Sequence, residues 1–229
     1  MKYNTVLFDL DGTLLDTLYD LTDSVNTVMR EGGYPQRTKE EIRDFIGDGV
    51  RMLMKRALPA GTSEKERMRC LLRFREIYLK NMRNHTRPYE KIPALLTGLK
   101  EKGVRMGVVS NKPDDATKEL CRFYFPGCVD AAIGDNPDRK KKPEPDNVYE
   151  ALKQLGADKD KTLYIGDSDV DMVTAKNAGL ACAGVTWGYR SRETLAEAGA
   201  DYLIDDPDEL IEIMEIKGWE RENEQRKQG

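Results

Sequence analysis

Two aspartates, Asp9 and Asp11, directly follow an apolar run from Val6 to Phe8 and precede Gly12. The run has the length and composition of a buried strand, so placing two carboxylates at its end would be costly without a purpose. In open α/β sheets, ligands bind in the crevice beyond the carboxyl ends of the strands. Alone, the pair could be only a turn and a helix cap. Its interpretation therefore depends on the residues at the ends of the other strands.

Polar side chains also follow two later apolar runs. Ser110 and Asn111 end one of them, and Asp167 and Asp171 follow another, four residues apart. If a helix begins just after Asp167, the two aspartates share its leading face. Together with the first pair they would place four carboxylates in one crevice, where repulsion opposes full ionisation unless a cation is present. The oxygen ligands favour Mg²⁺.

These polar positions need a sheet to bring them together, and the chain has the pattern of one. Short β-rich runs at 5–10, 104–110, 163–166, 181–186 and 202–204 alternate with helical patterns that end at glycine. The alternation predicts a Rossmann-like α/β core with a mostly parallel sheet. A last helical segment is expected to open at Asp206 and stop at Gly218, and the polar residues 219–229 are expected to fray.

One stretch, from about 18 to 82, interrupts the alternation with helical periodicity and no strand. Thr38 with Glu41, and Ser63 with Glu66, have the spacing of capping boxes that start the second and fourth of four helices. We therefore predict an inserted all-helical cap domain over residues 18–85. The α/β catalytic core would comprise residues 1–17 and 86–229.

Composition excludes several classes of protein. The 229 residues carry 37 basic and 41 acidic side chains, a net charge of −4 with both signs interspersed, which argues against a nucleic-acid-binding face. No window approaches the roughly 18 apolar residues of a membrane span, and no export signal opens the chain, so a cytoplasmic protein is expected. A single histidine, His85, and four scattered cysteines disfavour a zinc site or a Ser-His-Asp triad. No P-loop is present.

Four motifs, in order, resemble those of the haloacid dehalogenase superfamily of phosphohydrolases, and within it the phosphoglycolate phosphatase group. The resemblance covers nearly the whole chain, from 3 to 218, and departs at Glu90-Lys91, where the family often has a Pro-Gly turn. Any one motif could occur by chance, but the ordered set very rarely would. The motifs are Asp9 to Thr13, Ser110 to Lys112, Lys142 to Pro145, and Gly166-Asp167 with Asp171.

The resemblance implies a role for each carboxylate. Asp9 would attack phosphorus and become an aspartyl phosphate. Asp11 would protonate the leaving oxygen and later deprotonate water, while its main-chain carbonyl helps to bind Mg²⁺. Asp167 would complete the metal site, and Asp171 would support that site or anchor Lys142.

The resemblance also implies phosphate ligands and a substrate loop. Ser110 and the backbone of Asn111 would bind the phosphoryl oxygens, Lys142 would neutralise their charge, and Thr13 would orient the first loop. Gly47-Asp48-Gly49 lies where the family has its substrate-specificity loop, although an ordinary turn fits the residues as well.

Other basic residues have a less specific interpretation. Arg51, Lys55 and Arg56 could reach a substrate carboxylate, but cationic side chains on a surface helix are more often solvated. The run from Arg139 to Lys141 is interpreted as a solvated loop.

The sequence thus predicts a Mg²⁺-dependent phosphatase for small phosphate monoesters, with phosphoglycolate as the leading substrate. One alternative is a phosphosugar mutase of the β-phosphoglucomutase type, which would return the phosphate to a second hydroxyl. A non-catalytic binding module is another, and the retained set of polar residues disfavours it. A metal-free dehalogenase on the same fold is disfavoured by Asp11. The oligomeric state is left open.

Overall fold

A six-stranded parallel sheet forms the centre of the fold in the computed structural model, which describes residues 1–215. The strands are β1 (Thr5–Phe8), β2 (Leu15–Asp16), β3 (Arg87–Pro88), β4 (Arg105–Pro113), β5 (Ala131–Asp135), β6 (Thr162–Gly166), β7 (Ala181–Val185) and β8 (Tyr202–Ile204). The sheet order is β5-β4-β1-β6-β7-β8, and β2 pairs with β3 in a separate antiparallel ribbon. The α/β architecture predicted from the alternation is confirmed.

Ten α-helices accompany these strands within the described residues. They are α1 (Leu18–Gly32), α2 (Lys39–Phe45), α3 (Val50–Ala57), α4 (Glu64–Asn81), α5 (Ile92–Glu101), α6 (Asp114–Tyr124), α7 (Asp146–Leu155), α8 (Asp169–Ala178), α9 (Arg192–Glu197) and α10 (Glu209–Ile213). Helices α5 to α10 belong to the α/β part of the chain, and α1 to α4 form the helical insert between β2 and β3.

Strand β1 lies inside the sheet and is buried on both faces, with exposures of 2% or less along its length and three apolar residues after Thr5. Such two-sided burial is typical of parallel sheets. It pairs with β4 on one side and β6 on the other, and its last residue Phe8 lies beside Val108 and Ile165. The carboxyl ends of three strands are therefore aligned at one edge.

The helical insert contains the four predicted helices, and one of its two predicted capping boxes is complete. Thr38 and Glu41 exchange side-chain and backbone hydrogen bonds at the start of α2. Ser63 accepts a hydrogen bond from the Glu66 backbone at the start of α4. The Glu66 carboxylate does not return this bond and instead accepts hydrogen bonds from the Tyr34 hydroxyl at 3.0 Å and from the Arg69 guanidinium at 2.9 and 2.5 Å.

The two chain connections between the insert and the sheet are tied together by one buried carboxylate. Asp20 of α1 accepts hydrogen bonds from the backbone N–H groups of His85 and Thr86, at 2.9 and 3.0 Å, and from the Thr86 hydroxyl at 2.8 Å. The proposed domain division into 18–85 and the remainder runs through these connections and stays a prediction.

The strand predictions differ from the structure in three places. β5 was not expected, because its Ala131–Asp135 sequence AAIGD has few of the β-branched or aromatic residues that signal a strand. β4 continues to Pro113, beyond the predicted end, and the β2–β3 ribbon is too short to leave a pattern. Helix α10, the last within residues 1–215, ends at Ile213, and the predicted stop at Gly218 and the tail lie outside the described residues.

The Glu90-Lys91 departure has a local consequence. Lys91 precedes α5 with φ of +66°, a left-handed conformation that favours glycine. Its ammonium contacts Asp206 and Asp208 at 2.5 and 3.1 Å. The turn is therefore made by a lysine that is also fastened to the loop before α10.

No helix within residues 1–215 is both long and apolar enough to cross a membrane.

Candidate active site

A cavity of about 560 Å³ opens at the aligned carboxyl ends of β4, β1 and β6. Asp9 follows β1, Ser110 lies near the end of β4, and Asp167 follows β6, and all three are buried and line the cavity. The structure thus brings together the residues that the strand-end argument predicted.

Three carboxylates and one ammonium cluster at the cavity, where Asp9, Asp167 and Lys142 line it and Asp171 is fully buried beside them. Asp9, Asp167 and Asp171 each place an oxygen within 4.8 Å of the others. The Lys142 Nζ lies 2.8 Å from Asp9 Oδ1 and 2.7 Å from Asp171 Oδ1. When all four groups are ionised, the cluster carries two unbalanced negative charges.

The crowding of like charges changes how these groups titrate. Burial, reinforced by Asp171, raises the pKa of Asp9 to about 7, against the opposing effect of Lys142. Burial and the two neighbouring carboxylates also raise the pKa of Asp167 well above its ordinary value. Burial opposes the charge on Lys142, but Asp171 and Asp9 outweigh it and raise the Lys142 pKa well above its ordinary value. The cluster therefore favours an added positive charge.

Asp171 is the third residue of helix α8, and both of its carboxylate oxygens accept hydrogen bonds. Its Oδ2 accepts hydrogen bonds from the Ser168 backbone and hydroxyl, at 3.1 and 2.5 Å, in a capping box. Its Oδ1 accepts from Lys142 and from the Tyr164 hydroxyl at 3.2 Å. The helix start thus orients Asp171, which in turn positions Lys142.

Asp167 is oriented by the loops around it. Its Oδ1 accepts a hydrogen bond from the Thr13 hydroxyl at 3.3 Å, and its Oδ2 accepts one from the Tyr189 backbone at 2.7 Å. Gly12 lies against it with φ of +89°, and a Cβ there would stand 2.2 Å from Asp167 Oδ2. The Asp-x-Asp-Gly turn needs its glycine both for the backbone conformation and for the space.

Gly12→Ala is expected to lower activity about 100-fold, because the methyl group displaces Asp167 and misplacements of about 1 Å in a site have costs of this size. Phosphate release under saturating substrate measures the loss. Gly103→Ala is the matched control, since Gly103 has a similar φ of +74° but no atom within 4 Å of the added Cβ. Equal activity in the two variants would show that the contact with Asp167 is unimportant.

Asp11 lines the same cavity as Asp9 and Asp167, but its carboxylate lies outside the close cluster of Asp9, Asp167 and Asp171. It forms an ion pair with Lys112 at 3.0 Å and accepts a hydrogen bond from the Thr17 hydroxyl at 2.7 Å. Lys112 also donates to the hydroxyl of Tyr78, from helix α4, at 2.8 Å. Lys112 therefore links the Asp11 carboxylate to helix α4 of the insert.

Asn111 contacts the protein through its side chain on both sides of the cavity. Its Oδ1 accepts from the Lys142 backbone at 2.9 Å, and its Nδ2 donates to the Lys142 and Gly47 carbonyls at 3.1 and 2.9 Å. The Ser110 hydroxyl accepts from the Lys112 backbone at 3.2 Å. Asn111 thus fixes the segment that carries Lys142.

The predicted substrate loop, Gly47-Asp48-Gly49, covers the cavity and is fastened to the sheet side. Asn111 and Lys141 donate to the backbone carbonyls of Gly47 and Asp48. Arg190 donates to the carbonyls of Arg43 and Ile46, at 3.0 and 2.6 Å. Lys141 was interpreted as part of a solvated loop, and that is wrong, because it binds the insert.

The insert's contribution to the cavity wall is apolar, with two glycines. It consists of Leu21, Ile46, Gly47, Gly49, Val50 and Leu53.

The basic residues of α3 lie elsewhere. Arg56 pairs with Asp48 at 2.5 Å, and Arg51 and Lys55 line a separate depression on the insert. None of the three lines the cavity.

Two residues of the site were assigned no role from the sequence. Lys112 had a usable signal, since a lysine at the end of an apolar strand is rarely buried without a partner. Arg190 had none, because its contact with the Ile46 carbonyl joins residues far apart in the chain.

The donor set suits a hard divalent cation. Asp9 Oδ1 is fully buried and lacks a well-aligned hydrogen bond, although Lys142 lies beside it. Carboxylate oxygens from Asp9 and Asp167 match the preference of Mg²⁺ for one or two carboxylates together with water and phosphate oxygens. Both oxygens of Asp171 already accept hydrogen bonds, which suits a supporting position.

The fold and this site have the features of a haloacid dehalogenase-like hydrolase, and residues 6–185 match that family. The chain belongs to it.

Named relatives align with nearly the whole chain. The phosphoglycolate phosphatase of Aquifex aeolicus is 34% identical over 211 residues, which are 92% of this chain and 96% of the relative. The N-acetylmuramic acid 6-phosphate phosphatase of Pseudomonas aeruginosa is 30% identical over 94% of this chain and 96% of its own. The structure of a predicted phosphoglycolate phosphatase from Haemophilus somnus superposes with a TM-score of 0.86 at 28% identity, covering 93% and 98% of the two chains.

Proposed function

We propose that this protein is a Mg²⁺-dependent phosphatase that hydrolyses small phosphate monoesters, with phosphoglycolate as the first substrate to test. The observation that carries the proposal is the position of Asp9, buried at the end of the central strand between a lysine and two further carboxylates. The names of the relatives support phosphoglycolate over other monoesters.

In this proposal Asp9 is the nucleophile. One of its oxygens attacks phosphorus, a new O–P bond forms to Asp9, and the bond from phosphorus to the ester oxygen breaks. Water then attacks the phosphorus of the aspartyl phosphate and releases inorganic phosphate. The Lys142 ammonium contacts both Asp9 and Asp171, so it can offset charge on the transferring group while its own position stays fixed.

Asp11 is proposed as the general acid and base. Its carboxylate lines the cavity outside the cluster of Asp9, Asp167 and Asp171, and Lys112 links it to Tyr78 of the insert, so the leaving group would lie on this side. It would give a proton to the departing oxygen and later accept one from the attacking water. Ser110 and the Asn111 backbone would bind phosphoryl oxygens, and Thr13 orients Asp167.

Asp9, Asp167 and the main-chain carbonyl of Asp11 would hold Mg²⁺. When bound, the ion supplies charge neutralisation for the acidic cluster and for the phosphate oxygens.

The apolar insert wall favours the phosphatase over the phosphosugar mutase. A sugar bound under Leu21, Val50 and Leu53 would leave hydroxyl groups without side-chain partners on that side, which is costly in a buried site. A panel of phosphate monoesters assayed with Mg²⁺ for released phosphate and ranked by kcat/KM tests the proposal. Stoichiometric phosphate release is expected, whereas a mutase would yield an isomeric phosphate ester and a binding module would yield neither.

Asp11→Asn is expected to reduce the rate about 10²- to 10⁴-fold on alkyl phosphates, the usual size of a general acid–base contribution. The loss should be smallest for aryl phosphates, whose leaving groups need no proton. Asp44→Asn, which removes a carboxylate that is 68% exposed on α2, is the control. If the Asp11 variant hydrolysed alkyl phosphates at the wild-type rate, Asp11 would not be the general acid and base.

A further inference from the structure

Lys112 is a buried cation in the cavity wall that the proposed mechanism does not use. It is 3% exposed, and its ammonium lies between Asp11 on the sheet side and Tyr78 of the insert. An ammonium has three N–H donors, and these contacts account for two of them.

The other two cations that line the cavity in the described part of the chain are committed elsewhere. Lys142 contacts Asp9 and Asp171, at the end of the cavity where phosphate would bind. Arg190 directs its guanidinium to two backbone carbonyls of the insert. Lys112 is therefore the cation placed to meet the remainder of the substrate.

We propose that Lys112 determines specificity by binding a carboxylate carried on the leaving group of the phosphate ester. The inference rests on the proposed function, because Asp11 marks the leaving-group side only if it is the general acid. In phosphoglycolate one methylene separates the ester oxygen from the carboxylate. A substrate whose ester oxygen faces Asp11 thus brings its carboxylate close to the ammonium beside Asp11.

The surroundings strengthen such a contact. The insert wall over Lys112 is apolar, and charge-assisted hydrogen bonds away from water are the strong ones. The Lys112 ammonium is paired with the Asp11 carboxylate at 3.0 Å, and an opposite charge at this distance favours the charged form of a lysine.

The test compares two substrates of the same shape, phosphoglycolate and phosphoglycolamide, in which a neutral amide replaces the carboxylate. For the wild-type protein with Mg²⁺ we expect kcat/KM to favour phosphoglycolate by about 10- to 100-fold, the range of a hydrogen bond to a charged group. The difference should lie mainly in KM, because the carboxylate carries the same charge in the ground and transition states.

Lys112→Met should reduce this preference to near unity. Any general damage through Asp11 affects both substrates and cancels in the ratio. Lys112→Gln keeps a donor for Asp11 and Tyr78 without the charge, so it should give the same result if the methionine variant does not fold. Lys55→Met removes a lysine of the insert outside the cavity and should keep the wild-type ratio.

Equal kcat/KM for the two substrates in the wild-type protein would overturn the inference, and so would an unchanged ratio in the folded Lys112 variants. Turnover of neutral monoesters with no preference for the carboxylate would leave the proposed phosphatase function standing. Absence of phosphate release from every monoester would overturn both the inference about Lys112 and the proposed phosphatase function.

Discussion

Asp9→Asn is expected to lower phosphate release by about 10⁴-fold or more, the scale seen when a nucleophile is removed from an enzyme. An amide cannot form the acyl phosphate, and it is a poor metal ligand. Rapid quench with labelled substrate should find phosphorylated wild-type protein and no label on the variant. Retention of a tenth of the activity would show that Asp9 is not the nucleophile. Asp44→Asn should behave as wild type.

The same variant has a second expected readout, in the stability of the metal-free protein. A carboxyl whose pKa is raised in the folded state contributes less to stability as pH rises from its unfolded to its folded pKa. For Asp9 that window runs from 3.8 to about 7. Wild type and Asp9→Asn should therefore unfold at similar temperatures below pH 4, and the variant should become relatively more stable towards pH 7. A difference in unfolding temperature that stays constant across this pH range would contradict the raised pKa of Asp9.

Chelation of divalent metal is expected to abolish turnover, Mg²⁺ should restore it, and Ca²⁺ should restore it poorly, because its longer bonds and looser geometry suit the site less well. Without the ion, no divalent cation offsets the charge of the acidic cluster and of the incoming phosphate. Full activity in a chelated preparation would contradict the proposal of a Mg²⁺-dependent phosphatase and would favour the alternative of a metal-free dehalogenase.

Thermal unfolding tests the metal site without reference to activity. A ligand that binds only the folded protein stabilises it by about 2.7 kcal/mol at a concentration of 100 times Kd. Mg²⁺ should raise the Tm of wild type and of Asp44→Asn. It should raise the Tm of Asp167→Asn much less at the same concentration. An equal rise in all three would place the ion elsewhere.

Much of the fold could be predicted because strong local patterns agree with it. The apolar run of β1, the helical periodicity of the insert and the capping residues Thr38 and Ser63 each act over a few residues. β5 was missed because alanine and glycine carry little strand signal, and its formation depends on pairing with β4.

The residues of the site also divide into those that the sequence pattern predicts and those that it does not. Asp9, Ser110 and Asp167 could be placed together because parallel strands end at one edge. Lys142 lies in a loop, and only the family resemblance indicated its importance. Asp11 lines the same cavity but pairs with Lys112, whereas Asp9 and Asp171 pair with Lys142, and no spacing rule predicts which buried lysine each carboxylate will contact.

The loop over the cavity is held in place through the carbonyl oxygens of its backbone. Asn111, Lys141 and Arg190 all donate to main-chain oxygens, those of Arg43, Ile46, Gly47 and Asp48. Every amino acid supplies such an oxygen, so the side chains of Arg43, Ile46 and Asp48 can be exchanged during evolution without removing the acceptors that fasten the segment. Gly47 and Gly49 are different, because their φ angles of +122° and +81° favour glycine. Single substitutions in this segment can therefore change the substrate specificity while the loop over the cavity keeps its position.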